Sequence, residues 1–235
     1  MYDAETDGTV RSFGTSGFLF NSNKLMYDRA TLSLWHSLTG EPVVGKLANS
    51  ELELELLPLV LTTWEEWLSE NPDTTVLTED QGFPRRYRHP ENQGAIYYNY
   101  FHSPDVMFPS YLTDDRRIEK DRVLALKFFG AASAYPIETL AEELVVNDVV
   151  GPQEVMIVSE PQSKAARAYD RGGHTFSPTD NPRQVVDENN DLWQLTETDL
   201  FKIGDETQKL ERLPSHESFW FGWYAFNPQT KLYGS

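Results

Sequence analysis

Leu57-Pro58-Leu59-Val60-Leu61-Thr62-Thr63-Trp64-Glu65-Glu66-Trp67-Leu68-Ser69-Glu70-Asn71-Pro72-Asp73-Thr74 is a phrase that the chain writes twice. Leu213-Pro214, Trp220, Trp223 and Asn227-Pro228-Gln229-Thr230 repeat its Leu-Pro, its two tryptophans and its Asn-Pro-x-Thr ending at a constant offset of 156. Four of the 6 tryptophans therefore fall in register, which chance does not readily produce in so rare a residue. Internal repetition constrains architecture before local propensity does.

The likeness extends upstream of the phrase. Leu34-Trp35 and Leu38-Thr39 answer Leu192-Trp193 and Leu195-Thr196, Tyr27-Asp28 answers Val186-Asp187, and Tyr2-Asp3 answers Tyr169-Asp170. These pairs predict an α+β, β-rich fold of two related strand-rich units, each ending in a short Trp-bearing helix, in a pseudo-twofold duplicated architecture. The first unit spans 1–78. An aromatic-rich connector or lid spans 79–121, and the second unit spans 122–235.

Local signals fill in each unit. Glu51–Leu57 alternates charge with leucine and predicts a strand with one wet face. Thr62 and Thr63 stand three residues before Glu65 and Glu66, a capping box opening a helix that Asn71-Pro72 ends. Trp64, Trp67 and Leu68 share one helical face, so the tryptophans read as core anchors that dock the helix on a sheet. Ser215–Asn227 repeats the plan with Phe219, Trp220 and Trp223. Val123–Phe129 predicts a buried strand, 136–146 a helix, and 154–159 a strand. This block has no counterpart ahead of the first unit, so that unit reads as N-terminally incomplete. Asn147-Asp148 is expected to cap or end the helix.

Composition excludes several function classes. A formal charge of −17, from 37 acidic and 20 basic residues, repels nucleic acid and anionic lipid. The short basic cluster Arg85-Arg86-Tyr87-Arg88 does not reverse this. Acidic excess with few lysines is the pattern of a salt-adapted protein, and equally of an ordinary acidic one. With 0 cysteines, disulfides, zinc–thiolate sites and thiol nucleophiles are excluded for this chain. No apolar run reaches the length of a membrane span, and the start resembles no signal peptide. The expectation is a soluble chain without membrane insertion.

No motif names a reaction or a cofactor. The five histidines form no metal-ligand spacing. His102, in the aromatic connector with Asp105 close by, is the best-placed acid–base candidate, and Asp28 is a third catalytic candidate. Ser16, Asn21, Ser22, Asn23 and Asp28 form a polar cluster that the second unit lacks. It reads either as a tight turn or as a ligand-binding surface of hydroxyl, amide and carboxylate groups. The connector, with Tyr87, Tyr97, Tyr98, Tyr100, Phe101, Phe108 and Tyr111, reads either as a packed linker or as a binding loop.

Gly14–Asn23, Met26-Tyr27-Asp28-Arg29, Leu38-Thr39-Gly40-Glu41, Ala134-Tyr135-Pro136 with Val146-Asn147-Asp148, and Phe219-Trp220-Phe221-Gly222-Trp223 resemble a prokaryotic family catalogued as domain of unknown function 3179. The resemblance covers nearly the whole chain and implies no activity. Relatives carry an upstream segment with a Cys-Pro-x-Cys-like motif that this chain lacks, so a thiol or metal role is carried to no residue here. It fits the reading of the chain as a truncated or late-start version. The expected function is a ligand-binding or structural module with a cleft between the two units. It takes a small-molecule or saccharide ligand. The alternative is a hydrolase of ester, glycoside or amide bonds using a carboxylate/His site.

Overall fold

Asp7-Gly8 and Asn21-Ser22 are two-residue links whose members all take positive φ (52° and 66°, 45° and 64°) in the computed structural model of the chain. This type I′ geometry lets a hairpin follow the right-handed twist of its strands. Residues 1–78, 82, 88–89 and 91–235 are described, so Arg85, Arg86 and Tyr87 of the basic cluster lie outside the described residues. Strand accounts for 38% of the structure and helix for 10%, an α+β, β-rich composition.

The first link closes a ribbon, β1 (Glu5–Thr6) on β2 (Thr9–Val10). The second joins β3 (Phe13–Phe20) to β4 (Asn23–Asp28), which continue through β5 (Leu34–His36) and β6 (Pro42–Val44) as a four-stranded antiparallel meander. Glu51–Leu57 departs from the expectation of a regular strand. It is extended, with leucines inward and glutamates outward, but its ladder is one bridge, Tyr2↔Leu56, with Asp3 N donating to Glu55 O and Leu57 N to Met1 O at 2.9 Å each.

Helix α1 (Trp64–Glu70) starts as its capping box predicts: Thr63 Oγ1 accepts from Glu66 N at 3.2 Å, and Thr62 Oγ1 donates to Glu66 Oε2 at 2.6 Å. Its tryptophans are not core anchors. No residue of α1 is buried, and Trp64 is 48% exposed. Within the connector, regular structure among the described residues is limited to α2 (Tyr98–Phe101).

Val123-Leu124-Ala125-Leu126, four apolar residues in a row, demand a strand covered on both faces. All four are buried in β7 (Arg122–Phe128), paired with β8 (Ala131–Pro136). Leu124 and Leu126 join a core with Ile137 and Leu140, whereas Val123 and Ala125 join one with Trp220, Trp223 and Leu38. Helix α3 is shorter than expected, Ile137–Glu143, because β9 (Val145–Val150) takes the rest of the segment before β10 (Gln153–Ser159). Asn147-Asp148 therefore lies in β9 and caps no helix.

An eight-stranded antiparallel sheet follows from β11 (Ala166–Asp170), β12 (Ser177–Pro178), β13 (Gln184–Val186), β14 (Leu192–Leu195), β15 (Asp199–Lys202) and β16 (Asp205–Leu213), in the order β12-β13-β14-β15-β16-β11-β10-β9. Asn147 draws its two edges together. Its amide donates to Phe176 O and accepts from Phe176 N, both at 2.8 Å, imitating a strand neighbour beside β12. The wrapped sheet encloses Met156, Tyr169, Phe176 and Trp193. Finally β17 (His216–Phe219) pairs with β7, helix α4 (Trp220–Tyr224) buries Trp220 and Trp223 on that hairpin, and β18 (Lys231–Leu232) runs parallel to β8.

Charge ties α1 to the large sheet. Arg167 reaches Glu66 at 3.2 Å and Glu197 at 2.9 Å, Arg183 reaches Glu66 at 3.1 Å and also pairs with Glu70, and Arg212 reaches Glu197 at 2.5 Å. Arg167 and Arg212 are themselves buried.

Candidate ligand-binding cleft

A cleft with aromatic walls lies where the N-terminal meander meets α4 and the connector. It has a volume of about 660 Å³. Several elements build it. The β3–β4 turn contributes Ser22 and Asn23, α2 contributes Tyr100 and Phe101, and β17 with α4 contributes Glu217, Ser218, Phe219, Phe221 and Gly222, beside Arg122 of β7.

Local chemistry explains how each is held. Ser22 Oγ donates to Phe108 O at 2.7 Å, fastening the connector over the turn. The Asn23 amide oxygen accepts from Ser37 Oγ at 3.3 Å, and its nitrogen lies close to Gly222, where a Cβ would stand 3.8 Å away. Lys120 seats α2: its ammonium lies 3.7 Å from the Tyr100 ring centroid and donates to Ser103 O at 2.6 Å and to Tyr100 O. Trp220 N donates to Asp121 O and Phe221 N to Glu119 O, so the connector's end satisfies the open amides of α4. Tyr100 meets Phe219 edge-on at 6.5 Å, and Phe219 stacks on Phe221 at 6.1 Å.

Electrostatically the cleft is organised by one ion pair. Arg122 Nε donates to Glu217 Oε1 at 2.7 Å, and Arg122 Nη2 reaches the same oxygen, with Glu217 nearly buried and Arg122 open to solvent. Burial pushes the Glu217 carboxyl above the usual carboxylate range, and Arg122 offsets that only in part. Because both guanidinium donors land on one oxygen, the second carboxylate oxygen keeps its acceptor capacity.

The residues singled out in the sequence divide between cleft and scaffold. Ser22 and Asn23 line the cleft. Ser16 sits at the β3–β4 irregularity, where its hydroxyl donates to Leu25 O at 2.6 Å and accepts from Phe18 N at 3.1 Å, work that a bulge requires. Asn21 forms the turn, and its buried carbonyl oxygen meets no partner. Asp28 is buried and accepts from Ala30 N, Thr31 Oγ1 and Arg11 Nη1 at 2.8, 2.8 and 3.2 Å. Burial alone would raise its carboxyl, but these donors hold it below the usual range. His102 contacts Tyr98 O at 2.8 Å and Glu91 at 3.1 Å, and Asp105 accepts from Ser103. None of these contacts joins His102, Asp105 and Asp28 to one another.

Glu217 and Arg122 escaped the sequence reading, although one signal pointed there. Within the doubled phrase the residues between the shared positions all differ, and Glu217 stands at the position that Leu61 holds in the other copy. Among the described residues no group of three or more His, Asp or Glu is placed to hold a metal ion, and no helix is long and apolar enough to cross a membrane.

A family model described as "Protein of unknown function (DUF3179)" matches residues 1–230. No curated protein and no solved structure matches the chain.

Proposed function

This chain belongs to the DUF3179 family of proteins of unknown function, and from that premise we propose that it is a ligand-binding module whose cleft takes a saccharide. The observation that carries the reading is the meeting of the Arg122–Glu217 pair with the Asn23 amide beside the rings of Tyr100, Phe101, Phe219 and Phe221. A sugar ring presents apolar C–H faces that lie against aromatic rings, and hydroxyls that pair with planar carboxylate, amide and guanidinium groups. A polyanionic partner is disfavoured by the charge of −17.

The cleft lies between two related units, and matching contacts support that duplication. Phe13 meets Trp35 edge-on at 5.6 Å and Phe176 meets Trp193 at 5.7 Å, while Tyr2 and Tyr169 each donate a hydroxyl to a backbone carbonyl, of Leu38 and of Thr196, one place beyond Leu38's counterpart Leu195. Binding is favoured over hydrolysis of ester, glycoside or amide bonds. Two carboxyl groups flank the bond in most glycoside hydrolysis, and Glu217 is the one carboxylate among the described lining residues.

Isothermal titration against a panel of mono- and oligosaccharides tests the reading. Binding that weakens in Asn23→Ala and Tyr100→Ala is the expected result. A panel that gives no heat, or affinity indifferent to both substitutions, overturns it.

A further inference from the structure

A second cavity, of about 390 Å³, lies between the β9–β10 pair, the loop after β10 and the β12–β13 hairpin. Its floor is apolar, made by Leu144, Val145, Val158 and Val185, and its rim is stiffened by Pro161, Pro178 and Pro182. Two polar groups at its wall are unspent. Ser159 Oγ is buried without a hydrogen-bond partner, and the Glu160 carboxyl, among the described residues, meets neither a donor nor a cation within ion-pair distance. Buried polar groups are ordinarily paired, so the orphaned Ser159 hydroxyl, beside a half-buried carboxyl with no protein cation against it, leaves this wall with acceptor capacity that a ligand can use.

The charge of the lining selects which ligand. Glu160 and Asp180 are its charged residues and both are acidic; no Lys, Arg or His lines it among the described residues. The nearby arginines, Arg167 and Arg183, are already engaged by Glu66, Glu70 and Glu197. We propose that this cavity binds a small aliphatic primary amine, its ammonium donating to the Glu160 carboxylate and Ser159 Oγ and its alkyl chain lying on Leu144, Val145, Val158 and Val185. An ammonium has three donors and no acceptor, which suits a wall whose charged groups are acceptors and which holds no cation among the described residues. Burial, and after it the neighbouring Glu66 carboxylate, push the Glu160 carboxyl above its usual range, a cost that a cation seated against it relieves. The site is separate from the aromatic cleft and stands or falls without it.

The test is isothermal titration of the full chain with n-hexylammonium, n-hexanol and hexanoate, three probes of one length and different heads. The ammonium should bind, and the alcohol and carboxylate should bind at least about tenfold more weakly, the scale of one charge-assisted contact. Glu160→Gln should weaken ammonium binding by about ten- to a hundredfold and Ser159→Ala by a smaller factor. Glu217→Gln, in the other cleft, should leave it unchanged. In the unsubstituted protein, methyl NMR signals of Val145 and Val185 should shift on titration, a readout that needs no variant to fold. Equal binding of the alcohol, full affinity in Glu160→Gln, sensitivity to Glu217→Gln, or unshifted valine methyls would each overturn the proposal.

Discussion

The indole N–H of Trp223 donates to the hydroxyl of Thr230 at 3.0 Å, with both residues buried. Asn227 makes the connection: its backbone N–H and side-chain amide both donate to Trp223 O, ending α4, and its own carbonyl accepts from Thr230 N. The spacing Trp-x-x-x-Asn-Pro-x-Thr is thus a helix stop that returns a hydroxyl to the indole it left behind. Trp67, Asn71 and Thr74 make the same bonds, with the indole again at 3.0 Å. Thr230→Val, close in shape, leaves a buried donor unpaired and should cost about 1–3 kcal/mol in denaturant unfolding. Thr74→Val should cost less, because Trp67 is only half-buried and water replaces the lost partner. Equal losses would refute that argument.

The two helices differ more sharply at their first tryptophan. Trp220 is fully buried against Val123, Ala125 and Ala134, whereas Trp64, at the corresponding place in the phrase, is 48% exposed. Trp220→Ala should destabilise by about 3–5 kcal/mol. Trp64→Ala should stay within about 0.5 kcal/mol. Thermal unfolding of both variants decides the matter, and a large loss at Trp64 would mean that its ring is covered in solution.

These contrasts show what a sequence of this kind discloses. The start of α1 and the buried run Val123–Leu126 are local events, governed by capping and period, and were legible. The turn at Asn21-Ser22 was one of two readings of its polar cluster, and the start of α2 left no signal. The role of Trp64 was not legible, since its burial depends on whether a β7–β8-like hairpin lies beneath it, and nothing in the phrase itself says so. Asn147 misled for a similar reason. Its side chain serves Phe176, 29 residues away, and a contact at that range leaves no periodic trace. In the cleft, Ser22 and Asn23 were legible as unshared polar residues, but Glu217 acquires meaning only once β17 pairs with β7 and brings Arg122 beside it.

Acid should weaken the fold before the carboxylates that are held low titrate. Burial pushes His36 and His216 down to about 4, from the usual 6.5. His36 Nδ1 accepts from Leu38 N and Thr39 N at 3.3 and 3.2 Å, which fixes the neutral ring with its proton on Nε2. Between pH 6.5 and 4 the unfolded chain therefore binds protons that the folded chain refuses. The stability these histidines contribute is complete above pH 6.5 and is lost as pH falls toward 4. Asp28, Asp187, Glu66 and Glu197, all held low, add losses further into acid, while Glu160 and Glu217, pushed up, act in the opposite sense. The urea midpoint should fall as pH drops from 6.5 to 4. His216→Phe, which cannot titrate and can still pack on Trp223, should flatten the slope. An unchanged slope would remove His216 from the account.

Helix α1 buries no residue of its own, so apolar packing does not explain why it stays on the large sheet. The arginine cluster does. Arg167 spans Glu66 of α1 and Glu197 of the sheet region, and Arg212 donates onward to Leu59 O at 3.1 Å, just ahead of the helix. Glu66 keeps Arg183 and Glu197 keeps Arg212 when Arg167 is lost. Arg167→Met therefore removes charge-assisted hydrogen bonds without orphaning a buried charge and should destabilise by about 1.5–3 kcal/mol. Glu66→Gln is a different experiment. It keeps a hydrogen-bonding side chain, leaves Arg167 paired with Glu197, and loosens only the helix. Hydrogen exchange should accelerate across residues 64–70 in that variant while β10 and β11 keep their protection. If exchange in α1 stays slow, the helix is held by something other than charge; if β11 loses protection too, the cluster supports the sheet itself and not merely the helix resting on it.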